Sequence, residues 1–367
     1  MPAWSIWLLV APATLAVLCV LACALIHVYY RIKFLDQVVR IFEEKPLFII
    51  PRGQPDPTVE RVTFRAIDGA KLSGCYLRHR AIERRGVILF GLEFGSNCWA
   101  AIPYCDRLRD SGYDVFAYEP RNQGDSEVEP EYAPMQWVTH KDVADARAAA
   151  KYLQHRADAD PRGYGLFGIS KGGSVGLLLA AEDPNVRCVV TDGAFATYTT
   201  VVPYMRRWVS IYSSHKRLQA LAPDFLYGSI ALVAMNRVAE KRRVRFPSIE
   251  KSLRKLTTPV FFIHGQSDTY IKPEMAKRLF ELCGSAIKTL WLVPKAKHNQ
   301  APTIEPIAYH DKVTDFFDAY LANLPSDSTA EMTPYREELP APRELDGVPS
   351  LAAREVAPAP RLAAARM

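Results

Sequence analysis

The chain has 367 residues, 49% hydrophobic and 23% charged, and a formal net charge of +6. That length holds one catalytic-size domain with appendages, and the composition excludes collagen-like, wholly disordered and multi-span membrane classes. The seven cysteines, an odd number without CxxC or CxxH spacing, argue against a disulfide framework or a structural zinc site and read as reduced, mostly buried thiols.

The first predicted element is apolar. Trp4 to Tyr30 are 27 consecutive residues without Asp, Glu, Lys or Arg, and as a helix they reach roughly 40 Å, enough to cross a hydrocarbon core of about 30 Å. A single membrane anchor is expected over residues 1–33, in contact with lipid through 4–30, with Trp4 and Trp7 at one headgroup layer and Tyr29 and Tyr30 at the other. The competing reading is a cleaved signal peptide, with Ala22-Cys23-Ala24 as the small-residue site. Against it, a basic segment before the run is missing and the run exceeds the usual length of about 7–15 residues. No Lys or Arg precedes the span, whereas Arg31, Lys33, Arg40, Lys45 and Arg52 follow it. The positive-inside rule therefore puts the body of the protein in the cytoplasm. A linker is expected over 34–60.

From residue 61 to 324 strand-like and helix-like segments alternate. Strand patterns fall at Val62–Ala66, Leu72–Leu77, Val87–Phe90, Asp114–Tyr118, Gly163–Phe167, Val186–Thr191, Val260–Ile263 and Thr289–Val293. Amphipathic helical patterns fall at Trp99–Asp110, Trp137–His155, Ser170–Ala181, Pro273–Cys283 and Ile304–Leu321. This alternation predicts an α/β fold with a mainly parallel eight-stranded sheet covered by helices on both faces, the first two strands forming an antiparallel hairpin at one edge. Residues 325–367 contain seven prolines and little hydrophobic periodicity, which predicts a disordered tail.

Gly168-Ile169-Ser170-Lys171-Gly172 stands where the chain leaves a predicted strand and enters a predicted helix. A sharp turn there projects the serine oxygen away from the sheet, and the flanking glycines let strand and helix approach closely. In that context the sequence resembles the α/β-hydrolase family in a membrane-anchored, bacterial-type form, over roughly Val62 to Ala322. The resemblance implies the chain order serine, carboxylate, histidine. Val260-Phe261-Phe262-Ile263-His264-Gly265-Gln266-Ser267-Asp268 is similar to the strand and Gly-x-x-Asp element carrying the acid, and Ala296-Lys297-His298-Asn299 to the loop delivering the histidine. Ser170 is then the nucleophile, His298 the general base and acid, and Asp268 the group orienting the imidazole. Asp192, at the end of the preceding strand, is the alternative acid; His264 and His310 read as structural. The oxyanion hole is expected from the backbone N–H groups of Lys171 and Glu93, the latter in Gly91-Leu92-Glu93-Phe94-Gly95, where the family usually has His-Gly. Tyr118 to Ser126 resembles the family's Arg-x-x-Gly-x-Ser loop and reads as support for the same face.

An insertion at about 194–256 corresponds to the family's cap. Between Arg206 and Lys255 it carries 12 Lys or Arg against Asp224, Glu240 and Glu250, with an apolar run from Phe225 to Met235. It reads either as an ordinary cap over the core or as a lid resting on anionic lipid. The functional expectation is a membrane-anchored serine hydrolase acting on an ester or thioester, with a small-molecule or lipid acyl substrate and no metal or organic cofactor. A peptidase of the same fold and a non-catalytic membrane scaffold are the alternatives. The basic stretch lacks a nucleic-acid recognition motif and is interrupted by apolar sequence, so nucleic acid is not an expected partner.

Overall fold

The computed structural model describes residues 3–43, 52–212 and 223–323. The expected tail, residues 44–51 of the expected linker, and the side chains of Trp4 and Trp7 lie outside the described residues.

Eight strands form one sheet in the order β1-β2-β4-β3-β5-β6-β7-β8: β1 (Glu60–Arg65), β2 (Lys71–Leu77), β3 (Gly86–Gly91), β4 (Tyr113–Glu119), β5 (Tyr164–Ile169), β6 (Val186–Asp192), β7 (Val260–Gly265) and β8 (Lys288–Val293). β2 runs antiparallel to β1 and β4, and every other pairing is parallel. Each strand overlaps its predicted position, and the antiparallel hairpin lies at the expected edge. β3, β4 and β5 are buried at every position, the signature of strands covered on both faces.

One face packs on α3 (His140–Gln154), α4 (Lys171–Ala180) and α8 (Pro273–Leu282) through side chains such as Val143, Leu177, Leu178 and Leu279. The other packs on α2 (Ile102–Asp110) and α10 (Pro306–Phe317) through Tyr104, Leu108, Phe316 and Phe317. α3 starts at His140 rather than at Trp137 because Thr139 and Asp142 close a capping box there. Trp137 stays outside the helix, free to pack elsewhere.

The remaining helices are α1 (Ala3–Glu43), α5 (Val201–Tyr212), α6 (Asp224–Arg242), α7 (Ile249–Leu253) and the short α9 (Ala301–Ile304). α5, α6 and α7 occupy the 194–256 insertion. Among the described residues α1 is the one helix long and apolar enough to cross a membrane, with mean hydropathy reaching 2.3 and the apolar stretch unburied. The helix continues past residue 33, through the start of the expected linker, to Glu43. The reason is a second partner: Leu35, Val38, Val39 and Phe42 recur at helical spacing and are buried against Tyr227, Ile230, Ala231, Ala234 and Val238 of α6. Of the apolar run Phe225–Met235, Tyr227, Ile230, Ala231, Ala234 and Met235 are buried in this cluster, while Phe225 and Leu232 stay exposed. All seven cysteines are free, five of them buried.

Candidate active site

Ser170 sits between β5 and α4 with φ +50° and ψ −115°, a conformation that L residues rarely adopt and that the surrounding packing must impose. The glycines at both sides explain how. A Cβ on Gly168 would lie 2.5 Å from the Gly173 nitrogen, and one on Gly172 would lie 2.2 Å from the Gly91 carbonyl. The turn also donates the Ser170 N–H to the Asp192 carbonyl at 2.7 Å, tying it to β6.

Ser170 Oγ lies 2.9 Å from His298 Nε2, and His298 Nδ1 lies 2.7 Å from Asp268 Oδ2. An ionised carboxylate only accepts, so Nδ1 carries the proton and Nε2 is left to accept from the serine hydroxyl. Asp268 is 3% exposed, and its Oδ1 accepts the Tyr270 and Ile271 N–H groups at 2.7 and 2.9 Å. Those bonds satisfy the buried charge and fix the direction of Oδ2. His264, behind it, donates Nε2–H to the Ile271 carbonyl at 2.7 Å, and burial lowers its pKa. It supports the acid loop rather than reaching Ser170.

Asp192 does not compete for His298. Its Oδ2 accepts the Tyr309 hydroxyl at 3.1 Å, and burial pushes its carboxyl up to about 7. His310 lies on α10, its ring edge-on to Tyr309 with centroids 5.5 Å apart.

The loop after β3 lies against the start of α4, since the Leu92 carbonyl, like that of Gly91, crowds Gly172. The end of β4 and the loop after it hold it: Glu119 accepts the Cys98 N–H at 2.9 Å and the Asp125 N–H at 2.7 Å, while Gln123 Oε1 accepts the Gly95 N–H at 2.6 Å. Arg121, 2% exposed, anchors the same loop through Asp145 at 2.6 Å, Asp68 at 2.7 Å and Glu129 at 2.9 Å. The Lys171 N–H belongs to the first turn of α4, where backbone donors lack intrahelical partners, and its side chain is buried in an ion pair with Asp142 at 2.8 Å.

Two further groups were not legible from the motifs. Glu93 enters the sequence reading only through its backbone, yet its side chain is 4% exposed and accepts from Asn299 Nδ2 at 2.7 Å. Burial pushes this carboxyl up to about 7, against the opposing pull of Asn299 and His298. Above Ser170 is a small pocket of about 30 Å³ walled by Phe94, Trp137, Phe195, Tyr204 and Tyr270. Trp137 in turn packs at a tilt against Phe42 of α1, ring centroids 5.2 Å apart. No metal-ligating cluster of three or more His, Cys, Asp or Glu occurs among the described residues.

The comparisons with known proteins agree with this architecture. YfhR of Escherichia coli (strain K12), an uncharacterized protein, is 24% identical over 269 residues, covering 71% of this chain and 82% of its own. An uncharacterized membrane protein of Saccharomyces cerevisiae, YNL320W, is 26% identical over 210 residues, covering 57% and 62%. Among solved structures, the Pyrococcus furiosus esterase Pf2001 superposes with a TM-score of 0.56 at 20% identity, covering 76% of this chain and all of its own. The family model described as the alpha/beta hydrolase family matches residues 90–312, which span every group of the site from Glu93 to Asn299. The chain belongs to the α/β-hydrolase family.

Proposed function

We propose that the protein is a membrane-anchored serine hydrolase that cleaves an ester or thioester with a hydrophobic acyl part through an acyl-enzyme. The observation carrying this reading is the hydrogen-bonded chain Ser170–His298–Asp268. As Ser170 Oγ attacks the acyl carbon, its proton passes to His298 Nε2; the bond to the leaving alcohol or thiol breaks and the leaving group takes that proton. Water then repeats the sequence, returning a free serine and releasing a carboxylic acid. Asp268 stabilises the imidazolium of both half-reactions, and the N–H groups of Lys171 and Glu93 receive the oxyanion. An apolar wall of Phe94, Trp137, Phe195 and Tyr204 beside Ser170 favours an acyl group over a polar one. α1 supplies the anchor, and the basic residues that follow its apolar run favour a cytoplasmic active domain.

A fluorophosphonate probe tests the nucleophile. Wild-type protein is labelled and Ser170→Ala is not; persistent labelling of the variant removes Ser170 from the role. Faster turnover of acyl esters than of matched amides separates this reading from a peptidase.

A further inference from the structure

α1 and α6 lie side by side in fixed register. Ser229 Oγ is 3.1 Å from His27 Nδ1, Asp36 pairs with Arg237 at 3.1 Å, and Glu43 pairs with Lys241 at 2.9 Å and Arg242 at 2.7 Å. Both chains of partners ascend together, so the helices are parallel and α6 measures depth along α1. Asp224, the first residue of α6, precedes Ser229 by five positions and therefore stands about 7.5 Å beyond the level of His27, beside residues 22–24 of α1. With Tyr29 and Tyr30 at the headgroup layer, this level lies about 10 Å to its hydrocarbon side. The first turn of α6 is thereby held at the boundary between headgroups and acyl chains, the depth at which interfacial helices bury their apolar faces. Its outward side chain suits that place: Phe225 is 58% exposed, and amphipathic surfaces with bulky apolar residues settle in this layer.

Beside this edge runs an open groove of about 1100 Å³ whose walls include Arg206, Arg207, Lys272 and Arg278 against Asp224, Asp268 and Glu274. Arg206 is paired with Asp224 at 2.7 Å and Arg278 with Glu281 at 2.8 Å. Arg207 donates to the Thr269 carbonyl, and neither it nor Lys272 has a carboxylate partner among the described residues. The groove is also lined by Gln266, Asp268 and Thr269, while the next two residues, Tyr270 and Ile271, line the pocket over Ser170. One loop thus separates a cationic groove outside from an apolar pocket inside.

We propose that this edge of the cap is seated in the bilayer surface and that the groove receives the phosphate headgroup of an anionic membrane lipid whose acyl chain is cleaved at Ser170. The cleavage part rests on the serine-hydrolase reading; the seating and the headgroup site do not. Guanidinium and ammonium groups suit phosphate, and a bilayer source follows from the register that places the groove beside the span.

Two measurements on the full chain in nanodiscs test this. In a Cys19→Ser, Cys23→Ser, Ser170→Ala background, whose remaining cysteines are buried, a spin label at Phe225→Cys collides more with oxygen than with a water-soluble nickel chelate. A label at Ile67→Cys, in the β1–β2 turn and 98% exposed, shows the reverse. A Phe225 label that behaves like the Ile67 label overturns the seating. In the active protein, Arg207→Glu with Lys272→Glu lowers the ratio of phosphatidylglycerol to phosphatidylcholine turnover at least about tenfold; an unchanged ratio overturns the headgroup site. Preference for a soluble acyl-coenzyme A or for an S-acylated peptide over phosphatidylglycerol overturns the lipid assignment. If wild-type protein is not labelled by the fluorophosphonate, the hydrolase reading fails while the collision measurement still decides the seating.

Discussion

The two walls of the Ser170 pocket are built by different means. Ser170, Asp268 and His298 follow β5, β7 and β8, parallel strands that end at the same edge of the sheet. Backbone pairing alone brings them to one place, and short local devices then aim each side chain: the strained turn at Ser170 and the two N–H groups gripping Asp268. The opposite wall has no such frame. Trp137 and Tyr204 come from the loop before α3 and from α5, Phe42 of α1 packs behind them, and side-chain packing between segments far apart in the chain holds them. The Ser170–His298–Asp268 arrangement is thus set by the sheet, whereas the aromatic wall is set by the 194–256 insertion and α1 together.

The largest test of this contrast concerns the acid. Asp268→Asn takes away the acceptor that fixes the imidazole tautomer and is expected to lower ester turnover about 10³–10⁴-fold. Asp192→Asn, whose side chain meets Tyr309 instead of His298, is expected to leave turnover within about tenfold. The opposite ranking would move the acid from β7 to β6.

The same contrast explains what the sequence made legible. Gly168 to Gly172, Asp268 and His298 were legible because the family resemblance ties particular residue types to fixed distances from strands, and the central strands of this sheet are continuous apolar runs. The continuation of α1 past residue 33 was not legible: Leu35, Val38, Val39 and Phe42 gain meaning only opposite α6, and no local pattern names a partner that distant. Glu93 was half legible. Its backbone position followed from the loop, but its buried carboxylate depends on Asn299 folding over it. Asn299, immediately after the histidine and at φ +56°, was the available signal.

Behind the aromatic wall the greatest single effect belongs to Phe42, which is fully buried against Trp137 and Tyr204. Phe42→Ala is expected to cost about 3–5 kcal/mol, seen as a lower thermal midpoint of the full chain in detergent together with a red shift of tryptophan emission as Trp137 meets water. An unchanged midpoint would mean that α1 ends, in energetic terms, before it reaches the cap.

On the sheet side, Glu93 makes stability depend on pH. Its folded carboxyl is raised from 4.5 to about 7, so the folded chain keeps a proton that the unfolded chain releases. The contribution is fully present below about pH 4.5 and is lost as pH rises through about 7, an effect of up to about 3 kcal/mol. Glu93→Gln removes the charge while keeping an acceptor for Asn299 Nδ2, and its amide supplies a donor for Asn299 Oδ1, which has no partner among the described residues. Denaturation at about pH 5 and about pH 8 should therefore show the variant gaining over wild type chiefly at the higher pH. An equal difference at both values would dismiss Glu93 as the titrating group.

The smallest effect is expected where the α1–α6 seam looks most electrostatic. Asp36 and Arg237 face each other at 3.1 Å, but their side chains are 78% and 55% exposed, and water screens such a pair to less than about 1 kcal/mol. Glu43 differs, being only 13% exposed and shared between Lys241 and Arg242, so losing it leaves two cations beside a partly buried helix end. Asp36→Ala should accordingly move the unfolding midpoint less than Glu43→Ala, and both less than Phe42→Ala. A gradient in that order means that apolar packing fixes the register on which the depth of α6 depends, with charge pairs only trimming it. If Asp36→Ala proved the most damaging of the three, the register would be electrostatic, and high salt would then be expected to loosen the cap from its anchor.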